Sequence, residues 1–247
     1  MVGAAASVLS PRQAAALGAV LVLIVAWDAG AGTLPGLSLW PDVLLLSLVV
    51  MPVTFSVPWL ALPLSQIRVA LPLAGLFAVL ALVTYFVGIG SLFNVSKLLA
   101  LTMIGYVFMQ VFEALSWVVL IALVIPWVDA WSVWRGPTGY VVSNKPGLLD
   151  HISIGFRSPG SNGFATLGPP DILFFALFLA AAYRFELRVR WTWFSMVGLL
   201  AATLLLTTEW DVAGLPALPA IGFGFVLPNI DLIWKAWRER GLEVRSD

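Results

Sequence analysis

Two carboxylates and one proline-rich string are the residues of this chain whose types and spacing point to chemistry. Asp129 sits between Val124-Ile125-Pro126-Trp127-Val128 and Ala130-Trp131-Ser132-Val133-Trp134. Asp171 follows Leu167-Gly168-Pro169-Pro170 and opens the apolar run Ile172 to Phe178. An ionisable group inside an apolar span costs roughly 2.5 to 3.5 kcal/mol on insertion, so each one needs a reason. Two carboxylates that share a site do not readily ionise together; one keeps a proton while the other stays charged. Such a pair supplies a base to activate water and an acid to protonate a leaving amine, without a covalent intermediate. The third element, Gly214-Leu215-Pro216-Ala217-Leu218-Pro219, opens the last apolar stretch. Its prolines break regular helix hydrogen bonding, and the freed backbone groups are tolerable at membrane depth only where they line protein or water.

Positioning these groups falls to a chain of 247 residues that is 61% apolar and 11% charged. A soluble domain of that length cannot hide so much hydrocarbon from water, so the chain reads as one all-α, polytopic transmembrane bundle over 1–247. A helical span takes about 17 to 25 mostly apolar residues, because every backbone group must be satisfied within the segment. Eight stretches qualify, at 13–33, 41–63, 69–90, 94–112, 114–134, 167–185, 191–208 and 214–234, and a count of nine stays open. The run from Phe93 to Trp134 is too long for one span, and the polar pair Gln110 and Glu113 marks the expected turn. The first stretch, with Arg12 ahead of it and Ala29-Gly30-Ala31-Gly32 behind, has some features of a signal peptide but reads as a retained span.

Alternating the eight spans collects nine basic residues, among them Arg12, Arg68, Arg184, Arg188 and Arg190, on the side of both termini, and leaves four on the other. The positive-inside rule then puts the termini in the cytoplasm and the long connection from Arg135 to Thr166 outside. Asp129 lies about 9 Å, at 1.5 Å per residue, below the end of its helix at Arg135. Because the chain leaves the fifth span and enters the sixth on one side, both acids are expected at similar depth near the same face, where the Pro216 and Pro219 segment also emerges. Within the long connection, His151 to Phe156 alternates polar or small with apolar residues, which fits a short strand, although coil is the simpler reading.

Composition excludes several classes. Net charge is zero and basic residues are thinly spread, so no nucleic-acid surface stands out. There is no cysteine and a single histidine, His151, so thiolate catalysis and multi-histidine or cysteine metal sites are ruled out and no cofactor is implied. Without His-Glu-x-x-His or a helical histidine, aspartyl chemistry is the one intramembrane proteolytic mechanism these residues permit.

Each feature alone also has a plainer meaning. Asp171 suits a helix N-terminus, Asp129 an ion or an interhelical hydrogen bond, and Pro216 with Pro219 a helix start. Asp231 and Asn229 read as interfacial. Trp127, Trp131 and Trp134 suit an aromatic belt, Tyr183, Arg184 and Arg190 are interface anchors, and Ser161 belongs to a turn. The joint occurrence of the three elements at one depth favours the catalytic meaning.

Together they resemble the presenilin and signal peptide peptidase family of intramembrane aspartyl proteases. Val128-Asp129-Ala130 resembles that family's first aspartate motif, with valine in place of the usual tyrosine. Gly168-Pro169-Pro170-Asp171 resembles its Gly-x-Gly-Asp motif, and Leu215-Pro216-Ala217-Leu218-Pro219 its Pro-Ala-Leu motif. The motif order and the one intervening span at 191–208 also fit, and the likeness covers about 114–235. It implies a catalytic core at 114–235 and a scaffold at 1–113, with Asp129 and Asp171 catalytic. It assigns Gly168, Pro216, Ala217 and Leu218 to substrate binding, with 151–156 as a further contact for an added substrate strand. Substrates would be transmembrane helices or remnant signal peptides, and the charge bias favours the signal peptide peptidase orientation. Two departures stand: proline at 170 where the family has glycine, and eight spans where it has nine. Proline fixes φ near −65° and lacks an N–H, yet it suits the first turn of a helix. A non-enzymatic transporter, channel, scaffold or impaired homologue is the alternative, and a prepilin-peptidase-like protease, which lacks a terminal Pro-Ala-Leu element, is a weaker one.

Overall fold

The computed structural model describes residues 9–135, 152–160, 164–210, 212 and 215–243. His151, Ser161 and Gly214 lie outside the described residues. Of the described residues 82% are helical, which establishes the all-α class, and among them six helices are long and apolar enough to cross a membrane.

Helix α1 (Pro11–Gly30) begins at a capping box in which Ser10 and Gln13 satisfy each other's backbone N–H groups. The second stretch is α2 (Leu39–Leu45) and α3 (Met51–Leu60), joined by a π turn over Leu46–Val50. Pro52 follows that turn and lacks the N–H a regular turn would use. Helix α4 (Ala70–Val87) packs on α5 (Gly90–Gln110) and turns Leu71, Leu82 and Phe86 outward, as a lipid-facing helix does. The turn expected near Gln110 and Glu113 is present. There α5 stops, Gln110 donates to the carbonyls of Ser65 and Ile67 at 3.0 and 3.1 Å, and α6 (Leu115–Arg135) begins.

The stretch read as coil is paired. Strands β1 (Ile154–Arg157) and β2 (Phe164–Leu167) form an antiparallel hairpin in which Ile154 faces Leu167 and Phe156 faces Ala165. The alternation noticed over 151–156 is a true strand period, shifted toward Arg157: Ile154, Phe156 and Leu167 are buried while Thr166 is exposed.

Helix α7 (Pro169–Arg184) is the centre of the molecule, and every side chain from Phe175 to Ala182 is at 0% exposure. It is apolar all round because α3, α5, α8 (Val189–Glu209) and α9 (Leu218–Val226) enclose it. Phe175 packs on Phe55 with ring centroids 4.2 Å apart, and Phe178 stacks on Phe225 at 5.0 Å. Gly105 lets α5 close on α7, since a Cβ there would lie 2.5 Å from the Leu173 carbonyl oxygen.

Two expected spans take another form. The stretch 167–185 yields a helix of 16 residues, about 24 Å at 1.5 Å per residue, against an apolar layer of about 30 Å. Protein rather than lipid surrounds it, so full span length is not required. The stretch 214–234 is divided into α9, a 3-10 turn at Leu227–Asn229 and the amphipathic α10 (Ile230–Glu243), because Pro228 cannot donate within a continuous helix.

Candidate active site

Helix α7 starts earlier than its motif suggests. Gly168 is the N-cap in extended conformation, and Pro169 and Pro170 occupy the first turn, where no intrahelical N–H is needed. Asp171 is thereby the third helical residue, and its Oδ2 accepts the Gly168 N–H at 2.9 Å. The proline that departs from the resembled motif is accommodated by the helix start itself. Asp171 is partly buried, at the base of β2.

Asp129 lies one and a half turns before the end of α6 and is also partly buried. Its Oδ2 accepts the Leu218 N–H at 3.0 Å, and the Ala217 N–H also bonds to the carboxylate. Those are orphan donors at the start of α9, where Pro219 has no N–H to offer. Asp129 therefore caps a helix other than its own. The approach that allows this depends on Gly222, whose added Cβ would lie 2.6 Å from the Ala122 carbonyl oxygen on α6. Gly224 sits equally close to Met196 on α8.

The two carboxylates stand near enough for the charge of one to be felt at the other. Of the residues singled out in sequence, Asp129, Ala217 and Leu218 meet through hydrogen bonds, Gly168 and Asp171 through another, and the two groups are coupled by charge. Pro216 precedes Ala217 on the approach to α9.

Beside this pair runs a cleft of about 280 Å³. Its walls are the π turn region at Leu46 and Met51, strand β2 through Ala165, Thr166 and Leu167, helix α8 through Thr203 and Thr207, and Leu215 with Ala217. The acids themselves do not line the cleft; it reaches their neighbours, Leu167 next to the Gly168 cap held by Asp171, and Ala217 next to Leu218, whose N–H Asp129 accepts. The hydroxyls of Thr203 and Thr207 bond back to carbonyls of their own helix, leaving a mainly apolar wall.

The open edge of β2 follows from the ladder. Opposed residues of an antiparallel pair alternate between exchanging hydrogen bonds and facing outward. Gly155 directs both its N–H and C=O away from β2, to Asn94, so its partner Thr166 faces outward on the opposite edge. Among the described residues none bonds to those backbone groups of Thr166. Two residues on, the same parity brings Gly168 N–H to Asp171.

Reasoning from sequence missed Thr166, Thr203 and Asn94. Asn94 and Lys97, three apart in an otherwise apolar span, carried a signal that was available: two polar groups on one helix face. No known protein family matches the chain, and no similar protein is found among curated sequences.

Proposed function

We propose that the chain is an intramembrane aspartyl endopeptidase of the presenilin and signal peptide peptidase kind, hydrolysing peptide bonds in transmembrane segments or signal peptides. The observation that carries this reading is that Asp171 holds the Gly168 N–H and Asp129 the Leu218 N–H, while their neighbours Leu167 and Ala217 line one and the same cleft. The two acids hold one proton between them. The ionised carboxylate takes a proton from water as the water oxygen attacks the scissile carbonyl carbon. The protonated carboxyl gives its proton to the carbonyl oxygen; as the tetrahedral species collapses, the carboxyl that took water's proton passes it to the leaving nitrogen while the other carboxylate takes one from a hydroxyl of the diol, so the C–N bond breaks and the pair again holds one proton.

Substrate lies extended along β2, bonding to the outward backbone groups of Thr166, with its side chains alternating into the apolar cleft. Ala217 and Leu218 stand across from it. A substrate helix must unwind to bind, and the open edge replaces the hydrogen bonds it gives up at membrane depth. In this reading α7 and the α9–α10 unit complete eight passes in the cell membrane, with the C-terminus cytoplasmic, and no metal or cofactor takes part.

A structural reading gives both acids only the work of helix caps, and one pair of variants separates the two. Asparagine keeps an oxygen acceptor and caps about as well as aspartate, but it neither takes a proton from water nor donates one as an acid. Asp129→Asn and Asp171→Asn, reconstituted in liposomes with a reporter transmembrane peptide, are expected to lose about 10²- to 10⁴-fold in turnover while keeping the wild-type melting temperature. Retained cleavage in both variants overturns the proteolytic reading.

A further inference from the structure

The outward side of β1 is bonded at every second residue. Asn94 on α5 donates from Nδ2 to the Gly155 carbonyl at 2.7 Å and accepts the Gly155 N–H on Oδ1 at 3.0 Å. Two residues further along, the Trp27 indole donates to the Arg157 carbonyl at 3.2 Å, and two residues back, Lys97 Nζ donates to the Ser153 carbonyl. Past the strand, Gly160 N–H donates to the Ala31 carbonyl at 2.9 Å. Gly160 has a φ of 66°, and a Cβ there would lie 2.4 Å from the Gly36 nitrogen, so this backbone rests directly on the connection between α1 and α2.

A two-stranded sheet has two edges, and a backbone group left unpaired and buried on either costs about 1 to 3 kcal/mol. The two edges are treated differently. On β1, side chains from α1 and α5 supply what a third strand would, whereas among the described residues none bonds to the Thr166 edge of β2. Lys97 and Trp27 carry only donors, so on this edge each can serve a carbonyl but not an N–H. Asn94 differs because a carboxamide presents one acceptor and a donor group side by side, as a peptide unit does, and it engages both groups of one residue.

We infer that Asn94 is a positioning residue that stands in for the missing strand beside β1 and so fixes the register in which β2 presents substrate to Asp171. The inference rests on the proteolytic reading of the site. Asn94 touches neither substrate nor carboxylates; its effect passes from Gly155 through the ladder to Thr166, and from there two residues along to the Gly168 N–H held by Asp171. A slip of one residue along a strand moves each side chain to the opposite face, so a loosened hairpin offers more than one substrate bond to the acids.

The test uses the full chain in lipid nanodiscs. In the wild-type protein, the Gly155 amide is expected to exchange with deuterium about tenfold more slowly than the Thr166 amide, and Asn94→Ala is expected to remove that difference. With the same reporter peptide, mass spectrometry is expected to find wild-type cleavage concentrated at one bond and Asn94→Ala cleavage spread over neighbouring bonds. Asn94→Gln, which keeps both amide groups, is expected to restore much of the single-site pattern. A purely structural role lowers the yield of every product equally, so an unchanged product pattern in Asn94→Ala overturns the inference. Equal exchange of Gly155 and Thr166 in the wild type overturns it without any variant. Absence of cleavage by the wild type sinks the proteolytic reading instead, while the exchange rates still decide whether Asn94 holds the strand.

Discussion

The two ends of the bundle handle buried polarity in opposite ways. At the end remote from the acids, Asn229 is fully buried and spends its amide within the protein. It donates to the Thr192 hydroxyl at 2.8 Å and the Phe225 carbonyl at 2.7 Å, and accepts the Arg188 N–H at 2.9 Å. The Arg188 side chain takes the Pro228 carbonyl at 2.7 Å and grips Asp231 through two bonds of 2.6 and 2.7 Å. The helix break at Pro228 is thus repaired on the spot. At the other end, the carboxylates of Asp129 and Asp171 each hold backbone donors, yet they stand near each other beside a cleft and a strand edge that no described residue covers. A polar cluster whose members consume one another supports a fold; one that leaves valences facing a cavity is equipped for a ligand.

Substitutions at the two ends are expected to separate these roles, and the largest effect belongs to the acids. Asp129→Asn and Asp171→Asn depress turnover by orders of magnitude with little change in melting temperature. Asn229→Leu does the reverse. It removes three hydrogen bonds and strands the Arg188 N–H, at a cost of about 2 kcal/mol, while turnover per folded molecule is retained; thermal unfolding in detergent with parallel kinetics checks both. Gly222→Ala links the two ends, because its Cβ meets the Ala122 carbonyl and pushes α9 off α6, the pair of helices across which Asp129 reaches Leu218. A stability loss of about 1 to 3 kcal/mol should be accompanied by a fall in activity, and an activity loss without any stability loss would contradict this packing account. The smallest effect is expected from Asp231→Ala, since Arg188 and Asp231 are both exposed and surface ion pairs contribute little. Its melting curve should match wild type in high salt and differ only slightly in low salt.

Much of the fold was legible in sequence because lipid exposure imposes local rules. Long apolar runs with polar breaks located the six described helices long enough to cross a membrane, and Gln110 with Glu113 located the turn between α5 and α6. That Asp129 and Asp171 lie at the same end was readable from helix order alone. The hairpin was not, because the pairing of Ile154 with Leu167 depends on a partner thirteen residues away, and four-residue strands carry little period. The division at Pro228 was equally hidden: the apolar content of 214–234 masks an amphipathic C-terminal helix once Arg188 is there to accept the break. Asn94 was overlooked because its partner, Gly155, has no side chain to announce it.

The enclosure of α7 also bears on how the protein is made. A segment of 16 residues that begins with two prolines and an acid is a poor independent guest in a bilayer. Its residence there depends on company, with α3 and α5 synthesised before it and α8 and α9 after. Its final seating therefore belongs late in biogenesis, after the ribosome has delivered both flanking sets, and a nascent chain truncated before α9 should leave α7 open to aqueous labelling that the finished protein refuses.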